Sequence, residues 1–276
     1  MAVKIERAVR NSLDDYCRVE AASAIGMAYV RDVFEYFTEY SVGDLSCGYI
    51  DGTLAGIGKL SRLFDGSAWL ETLRVDKQYQ GRGVGKAFYR HFREEAKALG
   101  CPVMRMYTGL KNEVSAGLAR VNGFETVATH QGMYLELAGV EDGAMPEGFR
   151  PATPREAMAV WAGREKGFIC LNRTFYEHNP DTLAGFGAEG KVFVHPETGS
   201  ALILGARFQR EKGLHMAVPV GDIDLCIRFA SAYTVAQGLP RLTCTFGVDD
   251  KVVEARLTAA AFAPEPYATI VMEGRV

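Results

Sequence analysis

The sequence predicts a mixed α/β protein in which one structural unit occurs twice. In the first half, an apolar segment ending at Val75 leads through a glycine-rich stretch into an amphipathic run over 84–99, which is the order strand, loop, helix. Each half opens with a short strand and a helix-capping residue, Ser12 in one and Thr153 in the other. A spacing of 24 residues also recurs, from Gly100 to Phe124 and from Gly238 to Phe262.

Length and charge narrow the function classes. A chain of 276 residues exceeds the usual size of one domain, so two domains are expected. The formal net charge of -3 and the pI near 6.0 provide no basic field, which argues against a nucleic acid partner. Six scattered cysteines favour reduced thiols over disulfides, and the five histidines lack the spacing of metal ligands.

The N-terminal residues predict a cytoplasmic protein. Residues 1–10 alternate charged and apolar side chains and lack the apolar core of a signal peptide. No apolar run approaches the roughly 20 residues that span a bilayer. We therefore expect no membrane partner.

Local patterns predict the first elements. Residues 5–9 read as a strand and 14–22 as a helix. The aromatic segment 29–40 has apolar side chains at helical steps, which favours core packing over the alternative of an acceptor-pocket wall. The turn Asp51-Gly52 predicts a hairpin over 48–59.

The glycine-rich stretch predicts a pyrophosphate-binding loop. Glycines let a backbone approach an anion closely, and the unpaired amides of a helix's first turn attract that anion. The segment consists of Gln80, Gly81, Arg82, Gly83, Val84, Gly85 and Lys86.

Spacing excludes two nucleotide-binding motifs for this loop. The Rossmann fingerprint requires a third glycine where the chain has Lys86. A Walker A loop would need glycine in place of Gln80 and Ser or Thr in place of Ala87.

Helix, strand and helix follow the loop. Gly100 and Pro102 end the helix over 84–99, which carries one apolar face. Residues 103–107 predict a short buried strand, and 112–121 predict a short helix.

Together these motifs resemble the GNAT superfamily of N-acetyltransferases. The family's acetyl-CoA signature is Gln or Arg, two residues, Gly, any residue, then Gly or Ala, which Gln80, Gly83 and Gly85 fit. A second family motif is matched by Asn112, Leu118, Gly123 and Phe124. Ala119 departs from that motif, because the family usually has tyrosine there. The resemblance covers residues 3–137.

The resemblance implies a central, mostly antiparallel twisted sheet flanked by helices, with acetyl-CoA as cosubstrate. The pantetheine arm would pair with the backbone of Leu73, Arg74 and Val75, and the Val75 amide would polarise the thioester oxygen. The amides of the glycine-rich segment would bind the pyrophosphate, and Asn112 would contact the arm from the other side.

Acetyl transfer to an amine also needs a base and an acid. Glu71 is the candidate general base, because it lies four residues before Val75, where many family members have a carboxylate. The alternative is a Glu71 that faces solvent or pairs with an arginine. The usual acid for the leaving thiolate is absent at Ala119, so Tyr134 or Tyr107 is the candidate replacement, unless each is only a packed aromatic.

A turn-rich stretch over 139–148 predicts a domain boundary. It separates a GNAT acetyltransferase domain, 1–140, from a GNAT-like domain, 148–276. The resemblance to the family thus extends to a tandem arrangement.

The second domain is predicted to be a degenerate copy. It repeats a hairpin over 191–207, and Asp250 falls where Asn112 falls in the first. Instead of a glycine-rich loop it has Asp222 and Asp224 ahead of a helix, which would repel pyrophosphate. We expect this domain to serve as a scaffold, a substrate wall or a dimer surface.

The leading hypothesis is an acetyl-CoA-dependent N-acetyltransferase acting on a small-molecule amine or a protein amine. Two alternatives stay open: a non-catalytic acyl-CoA-binding sensor, and an acyltransferase for a longer acyl group. A homodimer is neither required nor excluded by the sequence.

Overall fold

The computed structural model describes residues 3–23, 28–140, 143–164 and 166–276, which form two compact units. The first unit runs to Thr108 and adds Asn112–Val127 and Val271–Val276. The second consists of Gly109–Lys111 and Ala128–Ile270. Each unit therefore contains a strand segment from the other half of the sequence.

This exchange of strand segments was not expected from the sequence. The domain bounds 1–140 and 148–276 stay a prediction about the functional division of the chain. Within the predicted boundary at 139–148, residues 141 and 142 lie outside the described residues.

The first unit contains a sheet with helices packed against it. Strands β1 to β4 are antiparallel neighbours in sequence order, and β5 lies parallel to β4, with residues 271–275 of β15 beside it. The strands are Val3–Arg7 (β1), Leu45–Ile50 (β2), Thr53–Arg62 (β3), Ala68–Val75 (β4), Val103–Gly109 (β5) and Thr269–Arg275 (β15). The helices are Leu13–Ser23 (α1), Val30–Glu35 (α2), Val84–Ala98 (α3) and Glu113–Val121 (α4).

The second unit has a sheet of the same kind. Its strand order is residues 128–136 of β6, then β13, β12, β11, β10 and β7, with β14 also on β6 and β8 paired with β9. The strands are Glu125–Glu136 (β6), Arg150–Pro151 (β7), Phe168–Leu171 (β8), Thr174–Glu177 (β9), Val192–His195 (β10), Ser200–Gly205 (β11), Leu214–Val220 (β12), Arg241–Gly247 (β13) and Ala263–Pro264 (β14). The helices are Pro154–Val160 (α5), Pro180–Ala188 (α6), Ile223–Ala236 (α7) and Lys251–Ala259 (α8).

The two units contain similar local devices, of which the sequence predicted the capping box and the hairpins. Asn112 and Asp250 each cap a helix, α4 and α8, by accepting a hydrogen bond from the backbone amide three residues later. Thr153 and Glu156 form the expected capping box at the start of α5. Hairpins form around Asp51-Gly52 and between β10 and β11.

Glycines on β2 and β3 let α3 pack closely on the sheet of the first unit. A Cβ atom added at Gly48, Gly56 or Gly58 would lie 2.9–3.1 Å from ring carbons of Phe88 or Phe92, closer than packed atoms tolerate. Both rings are fully buried. The glycines therefore leave the space in which the apolar face of α3 is buried.

The aromatic segment 29–40 belongs to the core, as its helical spacing predicted. Val30, Val33 and Phe37 are fully buried, whereas Tyr40 is exposed. Among the described residues, no helix combines the length and the apolar character needed to cross a bilayer.

A partly buried carboxyl group links α3 to the start of β2. Oε1 of Glu95 accepts a hydrogen bond of 2.5 Å from the Asp44 amide, and 13% of the Glu95 side chain is exposed. Burial raises the pKa of Glu95 from 4.5 to about 7, although the hydrogen bond from Asp44 opposes the rise. Folding therefore favours the protonated acid.

We predict that Glu95 makes the free energy of unfolding fall as pH rises from about 4.5 to about 7, because the native state keeps a proton that the unfolded chain has lost. Glu95→Gln keeps an oxygen for the Asp44 amide and removes the titration. Between pH 4.5 and 7.5, the free energy of unfolding should fall by about 1–2 kcal/mol less in Glu95→Gln than in the native protein, after allowance for solvent screening of the carboxyl group. Urea unfolding between pH 4.5 and 7.5 measures the effect.

Glu94→Gln is the matched control, because Glu94 is exposed on the same helix. In Glu94→Gln, the free energy of unfolding should depend on pH as it does in the native protein. Burial lowers the pKa of His91, which gives a slope of opposite sign, but His91 is present in all three proteins. The prediction would be contradicted if the free energy of unfolding changed with pH equally in the native protein and in Glu95→Gln.

Candidate active site

The candidate site lies where two parallel strands of the first unit separate. β4 pairs with β5 only over residues 68–70, although it continues to Val75. Against β3, the stretch 71–74 opposes the shorter stretch 57–59, so β4 contains a bulge. A bulge bends its strand and increases the local twist, which accounts for the departure of β4 from β5.

The bulge places a β-branched residue in an unfavourable backbone conformation. Thr72 has φ 59°, where such residues are rare and strain of about 1–3 kcal/mol is typical. The hydroxyl groups of Thr72 and Tyr29 lie 2.7 Å apart and share a hydrogen bond. Burial raises the pKa of Tyr29 to about 12, so the phenol keeps its proton near neutral pH. Tyr29 thus supports the bulge.

The Val75 amide faces the gap between the strands. The next amide, that of Asp76, donates to the Ala55 oxygen of β3 at 3.0 Å. Successive N–H groups of a strand point to opposite sides, so the Val75 N–H points away from β3. This direction fits the predicted contact with a thioester oxygen.

Glu71 lies at the point of separation and is nearly buried, with 8% exposure. Its Oε1 accepts a hydrogen bond of 2.6 Å from the Ser61 hydroxyl, which lies 2.9 Å from the Ser41 hydroxyl. The solvent-facing alternative for Glu71 is therefore wrong. A carboxylate held by a hydroxyl group and shielded from water has the chemistry of a proton acceptor.

The glycine-rich loop has the geometry of an anion site. Gly81 and Gly83 have φ 75° and 85°, and Gly83 is the N-cap of α3. A Cβ atom at either position would meet nothing within 4 Å, so this side of the loop is open. The first-turn amides of Val84, Gly85 and Lys86 have no partner within the helix and carry the positive end of its dipole.

Neighbouring side chains hold the loop and add positive charge. Nε2 of Gln80 donates to the Val75 oxygen at 3.2 Å, which ties the loop to the end of β4. Arg82 and Lys86 are exposed, and the guanidinium carbon of Arg82 lies 5.4 Å from the centre of the Tyr79 ring. Both cations favour a bound pyrophosphate.

Helix α4 packs beside the start of α3. An added Cβ atom at Gly85 would lie 2.7 Å from Cδ2 of Leu118. Oδ1 of Asn112 accepts a hydrogen bond of 3.1 Å from the Ser115 amide, so this oxygen serves the helix cap, and the expected contact of Asn112 with pantetheine stays a prediction. Ala119 is fully buried.

The two candidate tyrosines lie in different units. Tyr107 follows the last paired residue of β5 in the first unit, and its ring is stacked on that of Trp69, with centroids 6.2 Å apart. Tyr134 lies on β6 in the second unit, and the guanidinium carbon of Arg241 lies 4.4 Å from the centre of its ring. The role of Tyr134 as an acid stays a prediction.

The second unit repeats the separation of strands without the chemical groups. β12 and β13 pair over residues 214–216, and β12 then bulges at Val218, which has φ 41°. The same register places Ala217 where the first unit has Glu71. The indole Nε1 of Trp161 donates to the Val218 oxygen at 3.2 Å. An aromatic side chain thus supports the bulge in each unit.

The second unit also lacks the anion loop. Val220 on β12 and Arg74 on β4 are equivalent, because each is the first residue that pairs again after the bulge. Helix α7 begins three residues after Val220, whereas α3 begins ten residues after Arg74. Oδ1 of Asp222 occupies the start of α7 by accepting a hydrogen bond of 2.9 Å from the Leu225 amide. A carboxylate at this position opposes an anion.

Three contributors to the site were not expected from the sequence. They are the Ser61 hydroxyl, the Tyr29 hydroxyl and the Arg74 guanidinium, of which Arg74 had been assigned only a backbone role. Pairing of β3 with β4 is the signal that could have identified Ser61, because a serine diagonally across the strands from an expected base can donate to it. No cluster of three or more metal-ligand side chains occurs within the part of the chain that the structure describes.

Comparisons with known proteins agree with this geometry. Residues 9–124 match the model of the acetyltransferase (GNAT) family. No curated protein sequence matches the chain significantly.

The solved structures that align with 99% of this chain include the following three. A GCN5-related N-acetyltransferase from Sphaerobacter thermophilus has 12% identity, 95% of its own chain covered and a TM-score of 0.66. A tandem GNAT protein from the clavulanic acid biosynthesis pathway has 15% identity, with 98% of its own chain covered and a TM-score of 0.62. A GCN5-related N-acetyltransferase from Kribbella flavida has 15% identity, 70% covered and a TM-score of 0.54.

At these identities the similar structures establish the fold alone. The mixed α/β fold and the tandem GNAT architecture predicted from the sequence are confirmed. The family match itself covers residues 9–124, which is less than half of the chain.

Proposed function

We propose that the chain is an acetyl-CoA-dependent N-acetyltransferase that moves an acetyl group directly to a primary amine, with Glu71 as general base. The observation that carries the proposal is the position of Glu71, buried where β4 leaves β5, on the strand that leads into the open glycine-rich loop. The acetyl donor and the proton acceptor would thus share one site in the first unit.

The backbone of this chain would bind the donor. The amides of the glycine-rich loop would hold the pyrophosphate, and the exposed edge of Leu73, Arg74 and Val75 would pair with the pantetheine arm. The Val75 amide would then stabilise negative charge on the thioester oxygen as the amine attacks.

Glu71 would supply the neutral amine. An alkylamine has a pKa of about 10 and is mostly protonated at neutral pH, so a proton must leave before or during attack. One proton of the ammonium group passes through Glu71 to solvent before attack. The neutral nitrogen then forms a bond to the carbonyl carbon, the carbon–sulfur bond breaks, and the second proton passes from the nitrogen to Glu71 while CoA leaves as the thiolate. The Ser61 hydroxyl would keep the carboxylate in position for this transfer.

The thiolate of CoA would leave with or without an acid. Thiols have a pKa near 8.5, so the thiolate is a tolerable leaving group even though Ala119 replaces the usual tyrosine. We retain Tyr134 as the proposed proton donor, with Tyr107 as its rival. A rate loss of about 10²-fold or more for the phenylalanine variant of one tyrosine alone would identify the acid.

We predict that Glu71→Gln lowers kcat by about 10²–10⁴-fold with little change in the affinity for acetyl-CoA, because the amide cannot accept the proton. Ser61→Ala should lower kcat less, by roughly tenfold, because it removes only the hydrogen bond that positions the carboxylate. Thiol release measures kcat, and calorimetry measures donor affinity. An unchanged kcat for Glu71→Gln across a pH series would refute the role of Glu71.

We predict that Gly83→Ala weakens acetyl-CoA binding by about tenfold or more, because the methyl group would occupy the open side of the loop and strain a left-handed residue. Gly66→Ala is the matched control, since Gly66 has φ 80° and equally open surroundings away from the loop. Both variants should lose about 1 kcal/mol of stability, but only Gly83→Ala should lose affinity. Equal affinities in the two variants would remove the loop from the donor site.

A thiol-release assay over amines, amino acids, polyamines, aminoglycosides and peptides tests the whole proposal. We expect CoA release that depends on one class of acceptor. Tight acetyl-CoA binding without release from any acceptor would favour the non-catalytic sensor, and faster turnover with a longer acyl donor would favour the other acyltransferase. The same panel distinguishes a small-molecule acceptor from a protein amine.

The proposed homodimer is a separate question, and sedimentation measures whether the chain forms one.

A further inference from the structure

The Arg74 side chain lies on the same face of the first unit as Glu71. Gly56 and Gly58 face α3, as their close approach to its phenylalanines requires, so the intervening and following β3 residues face the other side. Arg74 pairs across the strands with Ile57, and Glu71 pairs with Lys59. Directly opposed residues share a face, so a cation and a carboxylate lie together on the face opposite α3.

The Arg74 guanidinium is held in place without an acidic partner among the residues that the structure describes. Its Nη1 donates to the Leu73 oxygen at 3.1 Å, and its central carbon lies 6.0 Å from the centre of the Tyr29 ring. Its Nε is buried and has no hydrogen-bond partner among the described residues. Within those same residues no carboxylate lies within ion-pair distance of Arg74, although a buried N–H without a partner is unfavourable.

Arg74 and Glu71 surround one hydroxyl group. Burial raises the pKa of Tyr29, the positive charge of Arg74 opposes this rise, and the Glu71 carboxylate adds to it. Both charges therefore act on the phenol that bonds to Thr72. Because residues 71–74 lie opposite two steps of β3, the two Cα atoms are separated by roughly 7 Å, which the two side chains and a small molecule can bridge.

We propose that the acceptor of this site is an amine that carries a carboxylate group, such as an amino acid. Arg74 would bind the carboxylate through two donors, and Glu71 would face the amine. Arginine suits this task because its planar N–H groups match the two oxygens of a carboxylate. The contact between Glu71 and the amine rests on the proposed function, whereas the contact between Arg74 and the carboxylate rests on the unpartnered Nε of Arg74.

The proposed arrangement leaves the charge on Arg74 unchanged during the reaction. Once neutral, the amine gives up one proton to Glu71 and gains the acetyl group, while the carboxylate stays bound. Arg74 would thus hold the amine near the thioester and reject acceptors that lack an anion, because their binding would leave the buried Nε without a hydrogen-bond partner.

Matched pairs of acids and amides test the proposal. N-acetylglycine, N-acetyl-β-alanine and N-acetyl-4-aminobutanoate resemble the products, and the carboxamide of each differs only in charge. Calorimetry in the presence of CoA should show at least one acid binding about tenfold or more tightly than its amide. Thiol release with the parent amines should show the same preference in kcat/KM.

Arg74→Gln should reduce that acid-to-amide preference to about one, and Arg74→Lys should restore only part of it, because a lysine lacks the forked donors. Arg90→Gln, at an exposed position of α3, should keep the full preference. The ratio is diagnostic even if a variant changes overall activity, and circular dichroism checks that each variant folds.

The outcomes separate the two proposals. An acid preference that disappears in Arg74→Gln, without thiol release from any amine, would support carboxylate binding and refute the transferase. Thiol release with equal use of acids and amides would support the transferase and overturn carboxylate binding by Arg74. Absence of binding by every acid and amide, or a preference that persists in Arg74→Gln, would also overturn it.

Discussion

The site depends on one backbone constraint, the bulge at Thr72 that turns β4 away from β5. Without it, parallel pairing could continue past residue 70 and cover the edge of β4 that is proposed to receive a ligand. The strained conformation of Thr72 persists because Tyr29, buried beside it, bonds to its hydroxyl. The same tyrosine lies under Arg74 and near Glu71, so the support of the bulge also organises the proposed acceptor pocket.

The second unit shows which parts of this design belong to the fold and which belong to the chemistry. Its bulge at Val218, the supporting aromatic Trp161 and the parallel pairing before the bulge repeat the first unit. Ala217 replaces the carboxylate, and a short connection capped by Asp222 replaces the anion loop. Strand separation is therefore a property of the architecture, whereas the proposed proton transfer and anion binding rely on side chains and glycines that, among the described residues, the first unit has and the second lacks.

Much of this architecture could be predicted because it is encoded locally. The loop around Gly83, the cap at Thr153 and the hairpin turn at Asp51-Gly52 depend on residues close in sequence. The exchange of strand segments could not be predicted, because any apolar strand could fill either sheet edge. The contacts of Ser61, Tyr29 and Arg74 depend on which face of a strand each side chain occupies, and a bulge changes that face by one residue.

The central claim is that one donor site exists, along β4 and the glycine-rich loop. Amide chemical shifts of the labelled protein during titration with CoA test it most directly. We expect large changes at residues 73–75 and 81–86 and none at the equivalent residues 219–225 of the second unit. Changes concentrated at 219–225, or an unperturbed Val75 amide in the CoA-saturated protein, would contradict it.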